Sequence, residues 1–89
     1  MSHLFVRHGV RDYAHWRAMF DSDAGSQRAA GMHVSHVFRD PDDPNIVAFL
    51  FRIEDRDRAT AFMSRPGGDE IAAKAGVQPP FDMHWLEQS

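Results

Sequence analysis

Six histidines stand in these 89 residues, and imidazole is the side chain that most readily moves protons near neutral pH or ligates a metal. His33 and His36 are three apart in one β-rich run, and His3 and His8 are five apart in another. Regular strand alternation sends the members of each pair to opposite faces, where they do not chelate one ion. Cysteine is absent and no helical His-x-x-x-His occurs, so no metal site is expected. Proton transfer is the chemistry that remains. His8 continues the apolar set Leu4 and Val6, His36 continues Met32, Val34 and Phe38, and His84 alternates with Met83 and Trp85. At least one of the three should face the interior, where an imidazole must find a hydrogen-bond partner or a ligand. His8 and His36 are the candidate general bases, with a satisfied structural histidine as the competing role for each.

Other side chains could complete such a site. Trp16 and Phe20 recur with Tyr13 and Met19 at helical spacing, which makes them either ordinary core or the wall of a pocket. Arg28 and Arg39 could hold an anionic or carbonyl group, or pair with nearby aspartates at the surface. His84 is a further candidate for substrate contact, His15 belongs to the solvent side of the first helix, and Asn45 serves turn geometry.

The elements that would position these residues follow from local pattern. His3 to His8 reads as a strand closed by Gly9, and Asp12 as the N-cap of a helix that runs to Ala29-Ala30-Gly31. Met32 to Arg39 and Asn45 to Ile53 form a hairpin across Asp40-Pro41-Asp42-Asp43-Pro44. Asp55 caps a second helical region with Ala59, Phe62 and Met63 on one side, broken at Pro66 and its two following glycines. A short helix resumes over Asp69 to Ala75 and stops at Gly76, and Phe81 to Glu87 is the last strand. The order β-α-β-β-α-β predicts an α+β, ferredoxin-like domain with both helices on one face of a four-stranded antiparallel sheet. Right-handed crossovers give strand order 4-1-3-2.

One strand departs from the alternation that a half-covered sheet requires. In Ile46-Val47-Ala48-Phe49-Leu50-Phe51 both alternating sets are apolar, so both faces ask for burial. The helices cover one face. A second copy of the same sheet is the economical cover for the other, because isologous pairing closes after two chains. A chain of this length is also marginal alone without disulfides or a metal. A homodimer through the sheet faces is the expected assembly.

Bulk properties exclude several classes. A second core would need roughly another 50 residues, so residues 1–89 form a single domain. With a net charge of -3 and arginines dispersed among aspartates, the chain has no basic stripe for a phosphate backbone, and no nucleic-acid partner is expected. The N-terminus lacks the pattern of a secretory signal, and the longest apolar run, Ile46 to Phe51, is too short to cross a membrane. The expectation is a cytoplasmic protein with no membrane partner.

Several local features carry a resemblance to a known family. They are Val6-Arg7-His8 ahead of a helix beginning Asp12-Tyr13 and carrying Trp16, then Arg28-Ala29-Ala30-Gly31 at its end, and Phe38-Arg39-Asp40-Pro41-Asp42-Asp43-Pro44-Asn45 across the hairpin. Over its whole length the chain resembles the dimeric α/β-barrel superfamily, near the antibiotic biosynthesis monooxygenases. The resemblance implies a pocket between helices and sheet, and a cofactor-independent oxygenase, or a related isomerase or cyclase, acting on an aromatic or enolisable substrate. It also admits a non-catalytic dimeric binding or stress-related protein of the same fold. The haem-degrading branch is the poorest match, since no histidine lies between Asp55 and Gly76 to ligate iron. On this reading His8 or His36 is the base, Trp16 and Phe20 the wall, Arg28 the anion partner and His84 a substrate contact, with no cofactor.

Overall fold

A computed structural model describes residues 2–89. The chain order is β1 (Ser2–Val10), α1 (Tyr13–Ser22), α2 (Ala24–Ala29), β2 (Met32–Arg39), β3 (Ile46–Ile53), α3 (Arg56–Met63), α4 (Gly68–Ala75) and β4 (Val77–Glu87). The strands form one antiparallel sheet in the order β2-β3-β1-β4, which is the expected 4-1-3-2 read from the other edge. The α+β, ferredoxin-like arrangement is therefore the fold of this chain. Among the described residues no helix is long and apolar enough to cross a membrane.

The caps act as their residue types require. Asp12 accepts from the Ala14 backbone N–H, and Asp55 accepts from Asp57 and Arg58, so each satisfies donors that a helix start leaves free. Gly76 closes α4 at φ 78°, a left-handed conformation that side chains disfavour.

Three local departures bear on the site. The first helical run bends after Ser22, whose hydroxyl donates to the Met19 carbonyl, while Asp23 turns its carboxylate toward Arg65 instead of capping α2. A hydroxyl bonded back into the preceding turn bends a helix in this way. The last strand begins at Val77, earlier than expected, and carries Pro79 and Pro80; β4 is an edge strand, where missing N–H donors are tolerated. The third departure is a bulge in β2. Val34 pairs with Phe51 but His36 pairs with Leu50, so Ser35 is the extra residue and the alternation resets there.

Register assigns the faces. Leu4, Val6 and His8 of β1, Val47, Phe49, Phe51 and Ile53 of β3, and Phe81, Met83 and Trp85 of β4 all point toward the helices. Whereas Phe81 and Met83 stay exposed at the β4 edge, Leu4, Val47, Phe49, Phe51 and Ile53 build a buried core with Val10, Trp16, Met32, Ala59 and Ala75. Each fully buried large apolar side chain there contributes roughly 1.5–3 kcal/mol. The other apolar set of β3, Ile46, Ala48 and Leu50, lies half-buried on the open face, beside Phe5 and the exposed Phe38 and Leu86.

Candidate functional site

A cavity of about 270 Å³ lies between the helices and the sheet. Its wall is aromatic and aliphatic, with Trp16 and Phe20 from α1 facing Phe49 and Phe51 from β3, and it opens past Ile71, Phe81 and Met83 at the β4 edge. The volume lies just below the usual range for ligand sites, roughly 300–1,000 Å³. The aromatic rings pack closely: Trp16 stacks on Phe20 with centroids 4.9 Å apart, and Phe20 lies 4.9 Å from Phe49.

Four polar side chains reach this apolar space. His8, 5% exposed, sits at the end of the central β1 strand with its ring edge-on to Trp16 at 5.8 Å and to Phe49 at 5.6 Å. Its Nδ1 lies 2.9 Å from the Gly9 carbonyl, which can only accept, so Nδ1 carries the proton and donates. In the neutral ring Nε2 then bears the lone pair and is free to take a proton. Burial pushes the His8 pKa below the usual histidine value, outweighing the opposite effect of the Gly9 hydrogen bond, so the neutral, basic form prevails at pH 7.

The second polar group is Gln27 of α2, also 5% exposed, whose Oε1 is fully enclosed and has no hydrogen-bond partner among the described residues. The remaining two neutralise each other: the Arg65 guanidinium lies 3.4 Å from the Asp23 carboxylate and 3.7 Å above the Phe62 ring. The cavity therefore combines apolar walls, one uncharged base, one unsatisfied amide and an internally compensated ion pair.

Of the residues singled out from sequence, the structure brings His8, Trp16 and Phe20 together at this cavity. It places His36, His84, Arg28, Arg39 and His15 elsewhere. His36 was expected to continue the inward set of Met32 and Val34, but the Ser35 bulge turns it to the open face, where it stacks on Phe38 at 5.7 Å. The same bulge brings His33 and His36 to one face instead of two. His84 lies opposite Phe5 on the open face and stacks with it at 6.3 Å. Arg28 is exposed in the last turn of α2 and does not line the cavity, so it is no anion partner there. Arg39 spans the Tyr13 ring and donates to the Pro44 carbonyl at 3.1 Å. His15 bonds the Lys74 carbonyl at 2.6 Å and ties α1 to the end of α4. Among the described residues no three histidine, aspartate or glutamate side chains come together as a metal site.

Sequence reading missed Gln27, Asp23 and Arg65. A signal for the first two was present, because positions 16, 20, 23 and 27 continue one helical stripe at three- and four-residue spacing. Polar residues on a stripe begun by Trp16 and Phe20 mark where that stripe meets something other than core.

No family model matches the chain, and no curated protein matches it. Its likeness is to solved structures. An antibiotic biosynthesis monooxygenase superposes with a TM-score of 0.72 at 12% identity, over 100% of this chain and 99% of the other. A variant of SnoaB, a cofactor-independent oxygenase from Streptomyces nogalater, superposes at 0.74 with 16% identity, over 98% and 91%. A conserved protein from Methanosarcina mazei Go1 gives 0.74 at 11% identity, over 99% and 92%. Such identities speak for the backbone and not for the side chains. The chain has the ferredoxin-like fold of the antibiotic biosynthesis monooxygenase-like proteins.

Proposed function

We propose that this protein is a small-molecule enzyme of the antibiotic biosynthesis monooxygenase type, in which His8 removes a proton from an aromatic or enolisable substrate held against Trp16 and Phe20. The observation that carries this reading is the state of His8. Its Nδ1 is committed to the Gly9 carbonyl, its Nε2 lone pair is free, and the ring stands in an open apolar cavity. Proton abstraction next to a carbonyl, or from a phenol, needs a neutral base held in a site that excludes water from the anion. The likeness to a fold that includes a cofactor-independent oxygenase points the same way.

In the oxygenase form of the reaction, a ring methylene beside the conjugated system loses a proton to His8 and the resulting enolate reduces dioxygen. One oxygen atom becomes the new carbonyl and the other leaves as water with the two methylene hydrogens, so the carbon loses four electrons and dioxygen gains four. An isomerase or cyclase would share the first step and diverge afterwards. We assign the working assembly as a homodimer through the open sheet faces, and the ligand as the small aromatic or enolisable compound itself.

Deuterium exchange tests the shared step and is blind to the later ones. Anthrone in deuterated buffer under nitrogen should exchange its methylene protons faster with the protein than without it. His8→Gln should lower the enhancement by about 10² to 10⁴. In air, oxygen uptake with one anthraquinone formed per dioxygen would select the oxygenase. Binding of the ketone with no exchange above the buffer rate would instead favour a non-catalytic binding protein.

A further inference from the structure

Four of the six histidines stand on one surface. His3 of β1, His33 and His36 of β2 and His84 of β4 project from the sheet face that the helices leave open, while His8 points inward and His15 belongs to α1. The ladder sets two of them around the apolar centre of that face. His36 pairs with Leu50, Leu50 with Phe5 and Phe5 with His84, so one row across the four strands reads His36, Leu50, Phe5, His84. Neither of these two imidazoles has a carboxylate partner among the described residues. Asp82, two residues from His84 on the same face, is engaged by Arg7 at 3.0 Å, and Glu54 is taken by His33. Arg52, between His33 and His3 in the next row, adds a further positive charge.

We propose that proton uptake at His36 and His84 dissolves the pairing of two chains through this face, so that assembly is switched by pH. The inference rests on the homodimer assigned above and adds its regulation. The molecule is a slab of 31 × 31 × 19 Å, and its broad sheet face is of the order of the roughly 800 Å² that one side of a standard interface requires. A second copy seated there covers Leu50 and Phe5 and encloses the histidines beside them. A neutral imidazole suits such an interface, and both rings already stack on apolar neighbours, His36 on Phe38 and His84 on Phe5. A charged one does not, because a cation taken out of water without a counter-charge is costly. The surface it meets carries the same charges as its own, Arg7 and Arg52 against Asp82. Imidazoles gain their proton between pH 8 and pH 5, which sets the window. Separated chains take up these protons and paired chains do not, so pairing is strong at the upper end and weakens as pH falls.

Sedimentation velocity of the intact protein over a concentration series, at half-unit steps from pH 7.5 to pH 5.5, reads the dimer dissociation constant. Each imidazole kept neutral by pairing raises that constant by about tenfold over this interval, and four meet in a dimer, so the wild type should weaken by about 10 to 10⁴-fold. His36→Gln/His84→Gln keeps an uncharged polar side chain at both positions. It should remain dimeric, with a constant that changes by less than about threefold. Circular dichroism at each step separates dissociation from unfolding, since His8 is present in both proteins and any loss of fold through it appears in both.

Other outcomes overturn the assignment. A wild-type constant that does not change with pH, or a rise that persists in the double variant, would remove the switch and leave the homodimer in place. A wild type that is monomeric at micromolar concentration and pH 7.5 would remove the homodimer and the switch with it. Neither result touches the chemistry proposed for His8, because deuterium exchange on anthrone reads the opposite side of the sheet.

Discussion

At His8 two nitrogens of one ring hold different offices, and this decides what substitution there can reveal. Nδ1 donates to the Gly9 carbonyl and helps fix the end of β1, while the ring lines the cavity. Loss of the ring therefore lowers stability by roughly 1 to 3 kcal/mol whether or not Nε2 acts as a base. A fall in stability alone does not choose between the roles; the exchange rate does. Burial also sets a pH dependence. The folded pKa lies below the unfolded value of 6.5, so the unfolded chain binds the extra proton first as pH falls. The His8 contribution is fully present above about pH 6.5 and is lost as pH drops below it toward the folded pKa. Denaturant midpoints at fixed protein concentration should thus fall more steeply between pH 7 and pH 5 for the wild type than for His8→Gln. Parallel profiles would mean that His8 titrates as it does in the unfolded chain.

The elements show where sequence pattern suffices and where it fails. Caps, hairpin and strand order were legible because Asp12, Asp55 and Gly76 act through their own neighbours, and because β3 reads as a strand on any count. The Ser35 bulge was not legible: no glycine or proline marks it, and a period-two reading carries His36 inward when the ladder carries it out. Three of the six site candidates lie away from the cavity: the bulge carries His36 out, His84 alternates with the inward Met83 and Trp85, and Arg28 falls off the stripe shared by Trp16, Phe20 and Gln27. Gln27 escaped notice because an unpaired amide is visible only once its surroundings are.

A second irregularity, between β1 and β4, is also set by a single residue. A Cβ added at Gly9 would lie 2.6 Å from the Pro79 carbonyl oxygen and 3.0 Å from that of Gln78, both backbone atoms that cannot swing aside. Gly9→Ala should therefore push β4 away beside His8, destabilising the protein by about 1–3 kcal/mol in chemical denaturation. Unchanged stability would mean that β4 moves there without resistance.

For the whole molecule the question is what covers the second apolar set of β3. On the helix side Phe49 is buried within the chain itself, whereas its neighbour Leu50, on the other face, is only half-buried beside Phe5 and close in register to His36 and Phe38. A chain that ended its assembly at one copy would leave Phe38 at 50% and Leu86 at 46% exposed on this face with the β3 set between them. We expect a homodimer, because the same face on a second copy supplies the matching apolar surface and closes the assembly. Two adjacent substitutions separate folding from pairing. Phe49→Asp buries a carboxylate among aromatic rings and should unfold the protein, at a cost of several kcal/mol. Leu50→Asp places the same group on the open face, so it should give a folded monomer near the 10.1 kDa chain mass in light scattering, where the wild type gives about twice that. The wild-type midpoint should also rise with protein concentration, as mass action requires, and that of Leu50→Asp should not. A wild type that is monomeric at micromolar concentration would show that the open face meets water, and its apolar residues would then need another partner.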